Sequence, residues 1–310
     1  MRAKLPKSGI AFGGGGTRGF AHIGAIRVFQ ENHIEFDYVA GNSAGAIAGA
    51  LYAAGIPWQD LYDFSLNIRE KNVLPRKPIF SYMSSEVIEQ LANSFLKDKA
   101  FSDLNKPFCA VAVDLERGTL ETLSRGSVSK ALSASCAVPG VFQPVLIGRK
   151  TYIDGGTLRS IPTEAVRAMG AEKVVGINLN AERSRGTQSA RRLDVFLAAY
   201  NMSINVNSQI CEQYADVMLR PQLDTYRRYQ IKSIESMLKV GEEEARAHLP
   251  EVHAPDRLQK ALQALRSDVL LAELHRAHEV VRRRVVAAGW HLIVPVRLQI
   301  HVCLHVGLRQ

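Results

Sequence analysis

Twice within its first 54 residues the chain runs an apolar stretch into a glycine-bearing turn and then into a helix. Ser8 to Phe12 enters four glycines, and Phe20 to Gln30 follows with Ile23, Ile26, Val28 and Phe29 spaced for a packed helix. Next, 36-FDYVAG-41 reads as a second strand and Ala44 to Ala54 as a second helix. Strand, glycine loop, helix, strand, turn, helix is the rhythm of a parallel α/β sheet. Further strands are predicted at 107-PFCAVAVDL-115 and 119-TLETLS-124 (a hairpin), 151-TYID-154, 173-KVVGINL-179 and 216-DVMLRPQL-223. Helices are predicted at 84–96, from Val128 until Pro139-Gly140 stops it, at 162–170, from about 193 to Ala215, and at 233–249. The helix at 84–96 lies between two sheet strands, which suits either a lid over a site or a plain connection.

The two glycine turns carry the chemistry. In Gly41-Asn42-Ser43-Ala44-Gly45 the glycines permit a sharp strand-to-helix turn that presents Ser43 at a helix N-terminus, where developing negative charge is stabilised. Taken alone, the motif fits a nucleophile or a close-packed turn. A serine hydroxyl also needs a base. Of nine histidines only His22 and His33 precede residue 248: His22 sits in a helix where packing explains it, and His33 in a polar turn. A histidine-based triad is therefore disfavoured. Asp154, at a strand end before Gly155-Gly156, is the remaining candidate base. Strand ends on one edge of a parallel sheet are expected to bring it to Ser43, although a turn or capping aspartate looks the same in sequence.

The run Gly13 to Gly19 (GGGGTRG) opens a helix, so its N–H groups can face an anion. It matches Gly-x-Gly-x-x-Gly at Gly14, Gly16 and Gly19. The acidic residue that a dinucleotide site needs after the second strand is absent, however, and so is any Gly-Lys-Ser/Thr. N–H groups near Gly15 and Gly16 suit an oxyanion hole instead.

These motifs, in this order, resemble the patatin-like phospholipase family, as do 20-FAHIGAIRVF-29, 132-LSASCAVPGVFQPV-145, 151-TYIDGGTLRSIP-162 and 215-ADVMLRP-221. The resemblance covers roughly residues 8 to 250. It implies a three-layer α/β/α fold with a mainly parallel central sheet, and a Ser–Asp dyad without histidine. By the same resemblance Ser43 is the nucleophile and Asp154 its general base. Gly14, Gly15, Gly16 and Arg18 form the oxyanion loop, and Gly19, Gly41, Gly45, Gly155 and Gly156 are motif glycines. Asn42 departs from the threonine commoner at its position.

The expected function is a serine acyl hydrolase acting on lipid esters without metal or cofactor, its activity surviving a chelator. The alternative is a nucleotide-binding or regulatory α/β protein that uses the glycine loop for phosphate. A third reading is an interaction protein working through its tail. The domain is expected over 8–250 and a basic extension over 251–310; residues 255–310 hold nine Arg/Lys against four Asp/Glu, part of a net charge of +9. No zinc-finger spacing or aromatic RNA-binding motif accompanies that charge, so no nucleic-acid partner is expected. Four scattered cysteines (Cys109, Cys136, Cys211, Cys303), no signal-type N-terminus and no apolar run of membrane-spanning length predict a cytoplasmic protein. Peripheral membrane contact through Trp58, Tyr62, Phe80 or the basic tail stays open.

Overall fold

A computed structural model describes residues 6–67, 84–181, 191–226 and 233–253. The chain divides into two units, Met1–His253 and Ala254–Gln310, and every described residue lies in the first. Phe80, Cys303, residues 182–190 and the basic extension from 254 onward lie outside the described residues.

Eight strands form one sheet: β1 (Ser8–Phe12), β2 (Tyr38–Gly41), β3 (Phe108–Asp114), β4 (Thr119–Leu123), β5 (Val145–Ile147), β6 (Lys150–Asp154), β7 (Lys173–Ile177) and β8 (Val217–Leu219). They hydrogen-bond in the order β5-β6-β3-β2-β1-β7-β8, with β4 also on β3. β1, β2, β3, β7 and β8 run parallel, while β4 and β6 each pair antiparallel with β3. The helices are α1 (Phe20–Glu31), α2 (Ala44–Ala53), α3 (Trp58–Asn67), α4 (Glu86–Leu96), α5 (Val128–Ser135), α6 (Thr163–Ala168), α7 (Arg192–Glu212) and α8 (Ile234–His253).

The strand alternation sorts the two faces of the sheet. Ile10, Phe12, Val39, Phe108, Val175 and Leu219 build the larger core with α1, α2 and α8. Ala11, Ala40, Cys109, Val111, Val174 and Met218 face α6 and Cys211 of α7. Helices thus cover both faces, giving the three-layer α/β/α arrangement. The smaller residues on the second face let α6 ride close: a Cβ on Gly9 would stand 2.2 Å from Val166 Cγ1. Lys173 is buried and donates from Nζ to the carbonyls of Glu251 (2.9 Å) and Val252 (2.6 Å), so its charge sits on the C-terminal carbonyls of α8.

Several elements differ from the sequence reading. α3 occupies part of what reads as an irregular aromatic stretch; Trp58, Leu61, Tyr62 and Ser65 have helical spacing that the aromatic residues obscure. β5 was not anticipated. It forms a hairpin with β6 through Gly148-Arg149, with Gly148 at φ +63, as a tight turn requires there. α5 ends at Ser135, whose carbonyl has no i+4 donor because Pro139 lacks an N–H, and beyond it the Ala137 carbonyl accepts from Asp154 N (3.0 Å). α4 buries Ile88, Ala92 and Leu96, and Ser133 Oγ of α5 donates to Ser85 O at its start (2.7 Å). It is a packed connecting helix. Among the described residues no helix is long and apolar enough to cross a membrane.

Candidate active site

The register of β3 explains how Ser43 and Asp154 meet. Ala110 pairs with Gly41 of β2 and with Leu123 of β4, and Ala112 pairs with Asp154 of β6 and with Glu121 of β4. One edge of a strand offers one partner per residue, so β4 holds one edge while β2 and β6 share the other, end to end. β2 runs up to Gly41 and β6 runs down to Asp154, leaving Asn42-Ser43 facing Asp154-Gly155. The expectation of two parallel strand ends on one edge is corrected here: Asp154 arrives on an antiparallel strand from the opposite direction.

Ser43 is buried and has φ +52, ψ −126, a conformation rare for a residue with a Cβ. Ser135 Oγ fixes the turn, accepting from Ser43 N (2.9 Å) and donating to Val111 O (2.7 Å). Gly45 is obligatory, since a Cβ there would lie 2.2 Å from Phe12 O. Buried Asp154 accepts at Oδ1 from Gly156 N (2.7 Å), which orients its carboxylate. Cys136 lies beside Ser43 and within electrostatic range of Asp154. Its thiol is pushed well above its ordinary range by burial first and by the Asp154 charge second, and it hydrogen-bonds the Ser43 side chain.

Asn42 fills the space between the three motifs. Its amide would lie 2.7 Å from a Cβ on Gly14, 2.6 Å from one on Gly155 and 3.1 Å from one on Gly156. Nδ2 donates to Ser160 O (3.4 Å), while buried Oδ1 makes no hydrogen bond. Close approach, which only glycine permits, is therefore the common reason for these three motif glycines.

The glycine loop is pinned through its first two residues. Gly13 N donates to Ile177 O (3.1 Å) and Gly14 N to Ser160 O (2.9 Å), while Asn180 Nδ2 donates to Gly14 O (2.7 Å). The Gly14 N–H is thus committed to the scaffold. Gly15 and Gly16 N–H precede the first turn of a short helix over Gly16–Gly19 and have no hydrogen-bond partner among the described residues. Gly16 has φ +60. Arg18 donates from Nε to Tyr226 O (2.9 Å) and from Nη1 to Leu179 O (3.3 Å), tying the loop to the chain after β7 and β8. Gly19 packs on the start of α2, where a Cβ would meet Ala44 Cβ at 2.7 Å, and a Cβ on Gly41 would strike Gly45 O at 2.4 Å.

His22 serves the loop. Its Nε2 lies 2.7 Å from Gly13 O, and because a carbonyl only accepts, Nε2 carries the proton; Nδ1 is buried without a partner. Burial lowers its pKa from 6.5 to about 4, against the smaller raising effect of the Gly13 bond. Between those values the unfolded chain binds a proton that the folded chain does not, so stability falls as pH drops from 6.5 toward 4. The loss expected from this group is about 3 kcal/mol between pH 7 and pH 4. Urea unfolding at both pH values checks it: His22→Gln should flatten the pH dependence, and an unchanged slope would contradict it.

Ser135, Cys136, Asn180 and Asn207 were not singled out from sequence. Ser135 and Cys136 lie in the quoted 132-LSASCAVPGVFQPV-145, but Asn207 has no local signal. Its Nδ2 donates to Gly156 O (2.8 Å) and its Oδ1 accepts from Ser160 N (2.9 Å), so α7 holds the Asp-Gly-Gly turn from the far side. Among the described residues no group of three His, Cys, Asp or Glu is placed to hold a metal ion. The described cysteines, Cys109, Cys136 and Cys211, are buried free thiols outside any disulfide.

The family model described as Patatin-like phospholipase matches residues 10–167, just over half of the chain. An uncharacterized NTE family protein of Mycobacterium tuberculosis is 29% identical over 189 residues, covering 60% of this chain and 52% of that protein. Patatin-like phospholipase domain-containing protein 7 of Rattus norvegicus is 23% identical over 271 residues, covering 75% of this chain and 20% of that protein. The chain thus spans about half the length of the mycobacterial relative. Among solved structures, VipD from Legionella pneumophila superimposes with a TM-score of 0.52 at 14% identity, covering 79% of this chain and 67% of that one, a likeness of fold.

Proposed function

This chain belongs to the patatin-like phospholipase family, and from that premise we propose that it is a serine acyl hydrolase cleaving lipid esters through a Ser43–Asp154 dyad. The observation that carries the reading is the head-on meeting of β2 and β6, which leaves Asn42-Ser43 facing Asp154-Gly155. Asp154, oriented by the Gly156 N–H, takes the Ser43 proton as Oγ attacks the ester carbonyl. Gly15 and Gly16 N–H hold the oxyanion, and each such donor contributes on the order of 3 kcal/mol. The proton passes to the departing alcohol, leaving an acyl group on Ser43. Water, deprotonated by Asp154, then releases the acid. Gly14 enters this scheme through its fit against Asn42 and Arg18 through loop anchoring. The hydrolase domain is assigned to residues 8–250 and the basic extension to 251–310.

Hydrolysis of a short-chain chromogenic ester tests the base. Asp154→Asn keeps an oxygen for Gly156 N but removes the proton acceptor. Its kcat should fall about a thousandfold with KM little changed, and added chelator should leave the wild type active. An Asp154→Asn protein as active as wild type would remove Asp154 from the mechanism. A Ser43→Ala protein that keeps its function and binds nucleotide would restore the phosphate-loop alternative.

A further inference from the structure

α7 is amphipathic in an unusual sense. Its inner face is buried at Ile204, Asn207, Ser208 and Cys211, and its outer face is apolar rather than polar. Val195, Ala199, Met202, Val206 and Ile210 follow at i, i+4, i+7, i+11 and i+15, a stripe about 22 Å long. Val206 is 65% exposed and Val195 50%. Single exposed apolar residues need no explanation, but a periodic stripe does. The helix's two acids, Asp194 and Glu212, both lie roughly 120° around from its centre. Glu212 is also occupied by Arg220 and Asn178. The one charge within the stripe's arc is Arg192, which is exposed.

We propose that this outer face of α7 seats the protein on an anionic lipid surface, a proposal that rests on the lipid-hydrolase reading above. An exposed apolar stripe whose one charged neighbour is basic and not acidic suits contact with an anionic headgroup layer. Two other occupants fit less well. Five residues fall short of the roughly 20 per side of a stable protein interface. The chain's own segment 255–310, with nine Arg/Lys against four Asp/Glu, shares the charge sign of Arg192. The surface is also continuous with the site: the inner face of the same helix holds the Gly156 carbonyl through Asn207, and Tyr200 meets Thr157 at 3.4 Å. Lipid on the outer face therefore lies about one helix diameter, 10–12 Å, from the Asp154 turn. Two of the aromatic contacts suggested by sequence, Trp58 and Tyr62, are engaged elsewhere, as the Arg27 guanidinium lies over them at 4.4 Å and 5.7 Å.

The test is flotation of the full chain with vesicles of phosphatidylcholine, with and without a minority of phosphatidylglycerol. Wild type should float with the anionic vesicles, and Val206→Glu and Met202→Glu should each lower the bound fraction about tenfold. Both variants should hydrolyse a soluble monomeric ester at the wild-type rate. Wild type that stays unbound, or variants that bind equally well, would overturn the proposal while leaving the hydrolase reading intact. A wild-type dimer that Val206→Glu dissociates would assign the face to a second copy. A Val206→Cys thiol closed to a water-soluble maleimide in the vesicle-free monomer would assign it to the chain itself. Either result overturns the proposal. Vesicle binding that Val206→Glu abolishes, in a protein inert toward every ester, would instead leave this surface standing and sink the hydrolase reading.

Discussion

Ser43→Gly is expected to be inactive and yet more stable than Ser43→Ala. Removing the hydroxyl deletes the nucleophile in both, and hydrolysis should fall by about four orders of magnitude or more. The two variants differ in the backbone. At φ +52, ψ −126 a residue with a Cβ is strained by on the order of 1–3 kcal/mol, which alanine retains and glycine relieves. Against this stands the greater freedom of glycine in the unfolded chain, about 0.5–1 kcal/mol. Relief of strain wins, and the glycine variant should be about 1 kcal/mol more stable, a rise in Tm of about 2–4 °C. Thermal unfolding of both variants reads this directly. A glycine variant less stable than the alanine one would mean that the turn stores no strain. Wild-type activity in either would mean that the serine is only a turn residue.

Gly24→Ala should destabilise the fold by about 3 kcal/mol, although glycine to alanine within a helix ordinarily gains about 1 kcal/mol. α1 and α8 cross in contact at two glycines. A Cβ on Gly24 would lie 2.0 Å from Leu238 O and 2.9 Å from Glu242 N, and one on Gly241 would lie 1.9 Å from Ala21 O. The obstacles are backbone atoms, so no rotamer change relieves the clash. α8 must move away from α1, loosening buried Met237, Leu238 and Ala245. The packing loss exceeds the propensity gain, and the sign reverses. Urea unfolding should show a lower midpoint for Gly24→Ala and for Gly241→Ala; a raised midpoint in either would show that the helices are not in backbone contact there.

The sequence marks the candidate residues better than their geometry. Ser43 and Asp154 are legible because each stands in a glycine frame at a strand end. What a single strand cannot reveal is direction: 151-TYID-154 reads the same whether it runs with β3 or against it. The antiparallel course follows from a short hairpin at Gly148-Arg149, whose first strand has only three residues. Gly24 and Gly241 are likewise silent, because neither contact exists until α8 returns over α1 from more than two hundred residues away. Asn207 is one polar residue among several in α7, and its partners at Gly156 and Ser160 become visible only once α7 is docked. His22 is the buried packing residue its helical position suggests, and its bond to Gly13 O adds the reason an imidazole is there.

The most direct test of the dyad is covalent capture of the nucleophile. Folded wild type is treated with a fluorophosphonate, digested, and the modified peptide sequenced by mass spectrometry. A single adduct on Ser43, formed at least about a hundredfold more slowly in Asp154→Asn, is the result the account predicts. An adduct on another residue, or labelling of Ser43 at an unchanged rate without the Asp154 carboxylate, would contradict it.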